Sequence, residues 1–447
     1  MTKIDKVTGR AGAATVNITP PYPVPGTSGD VFIRGNEDSD LLAHAVVVSD
    51  GSTLGAVVSI DVLIIDRATT LWIKELASVR TGIPKENILI AATQTHSAPA
   101  AGPSFRRDTQ PDPFFVDFLV SRTAEAIEQA YSSMRPAVIA AGDAPTDGIT
   151  FNRRLIKPNG TVMHTVVIQQ WPKDNDMDPD FPPEGPVDED VGYIMFEELD
   201  GAPIACLMSF SCHNHSSCAP YFHRDMFGRA GDMVRSKLGT NTPTPVLAGA
   251  CGDTMWVDVK KGLPKDPISH TWELGEKIAD AVLNDVKSKQ RHNLSSVRFS
   301  SDVMEIPDRS LDDSEFCEDN CRGSHVGAMQ FAANRYGPEK VVLASRGDSS
   351  CLVEVAAMSI SDQVAISTSP AERFAVFGLE VKERSPFKVT LISDLTNGYC
   401  GYVPTEKGFE GKGYETHRST FQSRLVKDAG RIITEKAVEL LEQCKNS

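Results

Sequence analysis

The stretch that most constrains this chain is Ile88-Leu89-Ile90-Ala91-Ala92, followed at once by Thr93-Gln94-Thr95-His96-Ser97-Ala98-Pro99. Five apolar residues in a row, with no polar alternation, read as a buried strand. The polar loop behind them puts the His96 imidazole at the rim of a sheet, where open α/β proteins form their ligand crevice. A solitary histidine beside a strand is more often structural, and His96 gains weight only from two similar segments downstream. Both are strand-like runs that end in the same way. Ile204 to Met208 leads into Phe210-Ser-Cys-His-Asn-His-Ser-Ser-Cys218, and Val246-Leu-Ala leads into Gly249-Ala-Cys-Gly-Asp253.

Around these runs the chain alternates strand-like and helix-like pieces. Ala45 to Val48 and Leu54 to Ile60 read as strands, Thr69 to Val79 as a helix, and Phe115 to Tyr131 as a second helix. In that second helix Leu119, Thr123, Ile127, Ala130 and Tyr131 keep close to 3.6-residue spacing. The pattern predicts the α/β class, with a mixed β-sheet core flanked by helices. Leu425, Ala429, Ile432, Ile433, Ala437, Leu440 and Leu441 form one apolar stripe, so the chain closes with an amphipathic helix packed on the sheet, although Gly430 lowers its propensity. With 447 residues, 40% of them apolar, a substantial core is available. One catalytic domain over 1–447 is expected, divisible into 1–295 and 296–447. No sequence repeat of 20 to 50 residues is visible. Pro172 to Asp190 and Pro307 to Ser324, acidic or proline-rich, read as long surface loops of the kind that cover binding sites.

Charge and composition exclude several functions. A net charge of −15 without clustered Lys and Arg argues against nucleic acid and against an anionic membrane surface. The opening residues carry no apolar targeting core, and no run approaches the roughly 18 apolar residues of a membrane span. A soluble cytoplasmic protein acting on a small molecule is expected, its oligomeric state left open, a homo-oligomer included. The nine cysteines are an odd number without regular spacing, which predicts reduced, mostly buried thiols instead of a disulfide scaffold.

Several clusters could carry chemistry. His213 and His215 would point to opposite faces of an extended segment, so only one can serve a given metal site, and His213 stands closer to the strand end. Cys212 or Cys218 as a nucleophile lacks a positioned acid. Asp253 reads equally as a turn residue or as the group that orients a ligand imidazole. The segments Ser369 to Arg373 and Asn397 to Thr405 contribute Glu372 and Tyr402, with Tyr414-Glu415 twelve residues on. A tyrosine near a metal can ligate it or donate to an oxyanion, whereas most tyrosines simply pack. Cys317, Cys321 and His325, spaced by four, form a rival metal site with no evident fourth ligand.

Taken in order, these segments resemble the catalytic region of the neutral, non-lysosomal ceramidase family. The resemblance runs from Gly12-Ala-Ala-Thr-Val-Asn-Ile-Thr-Pro-Pro21 through the His96 loop, Asn152-Arg153-Arg154, Asp188 to Gly192, the His213 strand, Arg224-Asp225-x-x-Gly228 and Gly249 to Asp253, ending at Gly398 to Thr405 with Tyr414-Glu415. It implies a neutral-ceramidase-like catalytic domain in which a zinc ion, held by two His, a Glu and a Tyr, hydrolyses a secondary amide. On matching positions it implies His213, Glu372 and Tyr402 as ligands, His96 as a catalytic histidine, Arg153 as the substrate-contacting arginine and Tyr414 as a second active-site tyrosine.

Two departures qualify what the resemblance implies. The family's first loop reads Thr-His-Thr-His-Ser, and its first His, a ligand, is Gln94 here. An amide oxygen is a weaker, harder donor than an imidazole nitrogen and is uncommon on zinc. Either Gln94 ligates through oxygen, or His96 replaces it, or the metal is changed or lost. The expectation is one divalent ion on His213, Glu372 and Tyr402 with His96 nearby, zinc first and manganese or another ion as the alternative. The second departure is that ceramide-cleaving members carry a further C-terminal β-sandwich and are secreted or membrane-associated. A smaller soluble substrate is therefore expected, cleaved at an amide by activated water. An esterase or lactonase, a metal-dependent lyase or isomerase, and a non-catalytic binding protein are the alternatives.

Overall fold

The computed structural model describes residues 9–27, 31–35, 40–102, 110–164, 178–217, 219–310, 341–347 and 349–446. Three sheets share one plan. In the first, β1 (Arg10–Asn17), β2 (Leu42–Ser49) and β3 (Leu54–Ile60) pair antiparallel, helix α1 (Arg67–Thr81) crosses over, and β4 (Ile88–Ala92) joins β3 in parallel. Helix α2 (Pro113–Ser132) then returns the chain to a two-residue strand, Arg135–Pro136, on the far side of β1.

The second sheet repeats this order with β5 (Val138–Pro145), β6 (Asp190–Glu197) and β7 (Pro203–Phe210), helix α3 (Asp225–Leu238) and parallel β8 (Val246–Ala248). Helix α4 (Pro267–Asp285) leads back to His292–Asn293 beside β5. The third unit runs through β9 (Arg298–Pro307), β10 (Ser350–Ser359), β11 (Val364–Thr368), a two-residue β12 (Glu372–Arg373), helix α5 (Ala375–Arg384) and β13 (Val389–Ser393), which is parallel to β11. Helix α6 (Ala429–Asn446) closes the chain. The mixed α/β architecture expected from the sequence is the one observed.

The alternation of side chains along each strand explains how the sheets stack. Val46 and Val48 of β2, Ile194 and Phe196 of β6, and Ala356 and Met358 of β10 face a common central core. Their neighbours Ala45 and Val47, and Tyr193 and Met195, face the helices of the first two units. Val355 and Ala357 face the third unit's helices, where α6 buries Ile433, Ala437, Leu440 and Leu441. Every sheet is thus covered on both faces, which accounts for the nearly unbroken apolar runs.

Local signals set the helix ends. Asp66 accepts from Thr69 N at 2.7 Å to start α1, and Gly82, at φ 75°, ends it. Asp112-Pro113 and Asp266-Pro267 start α2 and α4 with the same carboxylate cap, each followed by a proline in the first turn. Gly430 sits in the first turn of α6 against the Phe377 ring, so close packing accounts for it. The six described cysteines are all free thiols, five of them buried. Cys317, Cys321, His325 and much of the two long loops lie outside the described residues. Among the described residues no helix is long and apolar enough to cross a membrane.

The three units are bolted together at the ends of their parallel strands. Asn397, at φ 63°, donates N–H to Ile90 O at 2.8 Å and accepts from Ile90 N through Oδ1 at 2.9 Å, so it extends the first sheet from the third unit. Its Nδ2 donates to Glu354 Oε1 at 2.8 Å, and the same oxygen takes Lys74 Nζ of α1 at 2.9 Å. Lys74 is 3% exposed, so removing its charge leaves a buried carboxylate with only the longer Arg67 contact at 3.7 Å and the Asn397 amide. Lys74→Met is expected to lower unfolding stability by about 3 kcal/mol, read from urea denaturation. A loss below about 0.5 kcal/mol would show that the ion pair does not hold the units together.

Candidate active site

Glu372 and Tyr402 are register partners, because β12 pairs in parallel with β14 (Tyr402–Val403) and Glu372 N donates to Gly401 O at 3.0 Å. The register sets a carboxylate beside a phenol. His213 enters from the loop after β7. Its Nδ1 bonds the Cys251 carbonyl at 2.8 Å, which makes Nδ1 the protonated nitrogen and turns the Nε2 lone pair inward. Nε2 lies 3.2 Å from Glu372 Oε2 and 3.2 Å from the Tyr402 hydroxyl.

Gln94 completes the group from the end of β4. It is fully buried at φ 64°, a left-handed backbone that costs a non-glycine residue energy and marks a functional position. Its Nε2 is 2.7 Å from Glu372 Oε2 and 3.3 Å from His213 Nε2, while the Cys251 thiol donates to Oε1 at 3.4 Å. Two oxygens 2.7 Å apart would repel, so the network requires the amide NH2 on the Glu372 side. Tyr399 donates to the other carboxylate oxygen, Oε1, at 2.9 Å.

Partly exposed side chains form the rim above this buried floor. The His96 ring stacks on His215 at 4.1 Å and 9°, with its Nδ1 bonded to Gln94 O at 3.1 Å and its centre 6.1 Å from that of His213. Tyr414 meets Tyr402 edge-on at 5.7 Å. Behind Tyr402, Arg153 donates Nε to Glu415 Oε1 at 2.7 Å and Nη2 to Gly252 O at 2.7 Å, with a further hydrogen bond to Tyr402. Glu415 also takes Arg154 Nη1 at 2.6 Å, and Arg154 pairs with Glu184 at 2.5 Å.

The charge states follow from burial and from these neighbours. Burial alone would raise the Glu372 carboxyl, but His213, the Tyr402 hydrogen bond and the Arg153 charge bring it below the usual carboxylate range. His213 is lowered by burial and then by Arg153, and His96 well lowered by burial and the neighbouring histidines. Burial, followed by the Glu372 charge, holds Tyr402 and Tyr399 well above the ordinary phenol value. At neutral pH the floor therefore holds one carboxylate, neutral imidazoles and protonated phenols.

The expected residues thus fall into two groups. Gln94, His213, Glu372 and Tyr402 converge within hydrogen-bonding reach, while His96, Tyr414 and Arg153 surround them. Asp253 does not orient His213; the Cys251 carbonyl does. Asp253 instead accepts from Ala375 N at 2.7 Å, capping α5, and from Asn152 Nδ2 at 2.8 Å. Cys212 is buried and its thiol is pushed up to about 12, which makes it a poor nucleophile. Tyr399, Cys251, His215 and Glu415 belong to the site although the sequence did not single out their roles. All four lie within two or three residues of a position that it did.

The solved structures allow a comparison. A neutral ceramidase from Pseudomonas aeruginosa superposes with a TM-score of 0.73 at 15% identity, covering 99% of this chain and 75% of that one. The fold is that of a neutral ceramidase. A ceramidase complexed with C2 matches at the same TM-score and identity, over 99% of this chain and 76% of that chain. No protein-family model and no curated protein sequence matches the chain. In this fold the candidate site lies where the three units meet.

Asp253 gives a test of how this buried floor is held. Burial raises its carboxyl to about 6, against an unfolded value of about 3.9. Its protonated form is favoured by folding, so this contribution is complete below pH 4 and is lost as pH rises through 6. The wild type should lose up to about 3 kcal/mol on this account between pH 4 and 7. In Asp253→Asn that loss is absent, so the stability difference should shift toward the variant by that amount in denaturation curves. A pH-independent difference would show that Asp253 is ionised throughout.

Proposed function

We propose that this protein is a metal-dependent hydrolase that cleaves the amide C–N bond of a small soluble substrate. The observation that supports it most is the convergence of His213 Nε2, the Glu372 carboxylate and the Tyr402 hydroxyl beneath a rim carrying His96 and Tyr414, in the fold of a neutral ceramidase.

His213 Nε2 keeps to Glu372 and to Tyr402 the spacing that ligands of one divalent ion would have. Zinc bonds of roughly 2.0–2.1 Å put tetrahedral ligand atoms about 3.3–3.4 Å apart. The two separations of 3.2 Å around His213 Nε2 agree with that. Only two of these donors are of the His, Cys, Asp and Glu kind, and among the described residues no group of three such side chains is placed to hold a metal. The site thus relies on a phenol for its third donor. A divalent ion held there supplies Lewis acidity to a scissile carbonyl and activates water; zinc suits the imidazole, and manganese the oxygen-rich remainder.

The chain's own groups divide the remaining work. His96 carries its proton on Nδ1, toward Gln94 O, so Nε2 is the nitrogen able to take a proton from water and return it to the leaving nitrogen. Tyr414 donates to the oxygen that gains negative charge. Arg153, expected to contact substrate, is 1% exposed and held by Glu415 and Gly252, so it acts through Tyr402 by keeping a positive charge beside the phenol oxygen.

Metal content of the purified protein, followed by a panel of amides, esters and lactones, tests this reading. Amide turnover that adds one water to the substrate mass is expected. It should fall more than about 100-fold on chelation and in His213→Ala. Undiminished turnover under both conditions would refute the metal-dependent mechanism, and a product of unchanged mass would point to a lyase or isomerase.

A further inference from the structure

The Gln94 amide occupies the fourth corner of the donor group, and it does so as a hydrogen-bond donor. Its Nε2 sits 2.7 Å from Glu372 Oε2, well inside the spacing of about 3.3–3.4 Å that two ligands of one tetrahedral ion would keep. The 2.7 Å separation belongs to a charge-assisted hydrogen bond. The other side of the same NH2 faces His213 Nε2 at 3.3 Å, the nitrogen whose lone pair would serve a cation. An amide nitrogen has no lone pair to offer a metal, and the amide oxygen is turned away to the Cys251 thiol.

We propose that Gln94 is an internal competitor for the metal, an amide lock that satisfies Glu372 and His213 when no cation is present. The proposal rests on the metal-binding reading above and adds to it a role for a residue that would otherwise be counted as a weak fourth ligand. Three features support a lock over a ligand. The amide is fully buried, so neither of its hydrogen bonds is given up to water without cost. Its backbone is held at φ 64°, and Gln94 N donates to Val62 O at 3.1 Å, so the side chain starts from a fixed point. Finally, Tyr399 covers the second carboxylate oxygen, leaving Glu372 fully hydrogen-bonded without any cation.

The consequence is an exchangeable metal. The bonds from Gln94 have to break before Glu372 and His213 can turn to a cation, so metal affinity is reduced and the metal-free protein stays ordered. An imidazole as fourth donor in place of Gln94 would lack this competing interaction and would add a strong ligand.

The sign of one substitution separates lock from ligand. Zinc and manganese affinities are measured on the metal-stripped full chain by competition with a chromophoric chelator, alongside thermal melting of the metal-free form. Gln94→Ala keeps the β-carbon and therefore the same backbone strain, while removing the amide. If Gln94 is a lock, Gln94→Ala binds zinc about tenfold more tightly than wild type, and its metal-free form melts at a lower temperature. Gln94→Leu, which fills the space without hydrogen bonds, should behave alike, so a void left by alanine does not obscure the result. Gln94→His is expected to bind tightest and shows that the other three donors are competent. Unchanged or weaker binding in both Gln94→Ala and Gln94→Leu, with Gln94→His still binding, overturns the lock and leaves the metal reading intact. If no form binds, Gln94→His included, the metal reading itself fails, and the lock with it.

Discussion

A buried carboxylate is expensive unless it is paired or hydrogen-bonded on every side, and Glu372 is the one around which this molecule closes. It is 4% exposed; its donors are Gln94 from the first unit and Tyr399 and Tyr402 from the third, and His213 of the second lies against it at 3.2 Å. The loops after β4 and β13 therefore share one requirement, that a desolvated charge find its donors, and the loop after β7 is held against them by the His213–Cys251 hydrogen bond. Because these loops are also the bolts between sheets, the same requirement ties the stability of the fold to the integrity of the site.

The repeated plan of the units explains why those loops meet. In each unit the third and fourth strands run parallel, so their C-terminal ends lie side by side at one edge, the place where open α/β sheets form crevices. The first unit brings Gln94 and His96 to that edge, the second His213 and the Cys251 turn, the third Glu372 and the Tyr399–Tyr402 loop. The stitching is reciprocal: Asp394 N donates to Ala248 O at 2.8 Å, and Gly252 N to Arg373 O at 2.7 Å. Glycine is required at 252 because a β-carbon there would run into the backbone of Glu372 and Arg373.

Much of this was legible one strand at a time. Ile88 to Ala92, Ile204 to Met208 and Val246 to Ala248 advertise buried strands, and the polar residues after each run do reach the site. The same reading could not show the threefold order, because the units occupy 10–136, 138–293 and 298–446 with insertions of different length and no shared sequence period. Nor could it find the pairing of Glu372 with Tyr402, two short strands thirty residues apart whose register only the folded chain reveals. His215 was set aside because an extended segment would point it away from His213. The loop turns after His213, with His215 N donating to His213 O at 3.0 Å, and its ring comes to rest on His96. Asp253 misled for the opposite reason: a carboxylate beside a metal-type histidine suggests a partner for the imidazole, but a backbone carbonyl was nearer.

The alternating charges behind the floor decide what the site can accommodate. Arg153 and Arg154 share Glu415, and Arg154 also holds Glu184, so this row balances positive against negative almost entirely within itself. Glu372 stands at its end, and the Arg153 guanidinium, 5.6 Å from the centre of the Tyr402 ring, is the arginine whose charge lowers its carboxyl. One negative charge on the floor is consequently compensated only at a distance, and hydrogen bonds carry the rest. Such a centre stays neutral in its imidazoles, and its one negative charge is met by the NH2 dipole of Gln94 at 2.7 Å. The buried amide thus meets the carboxylate while leaving the fold around it intact.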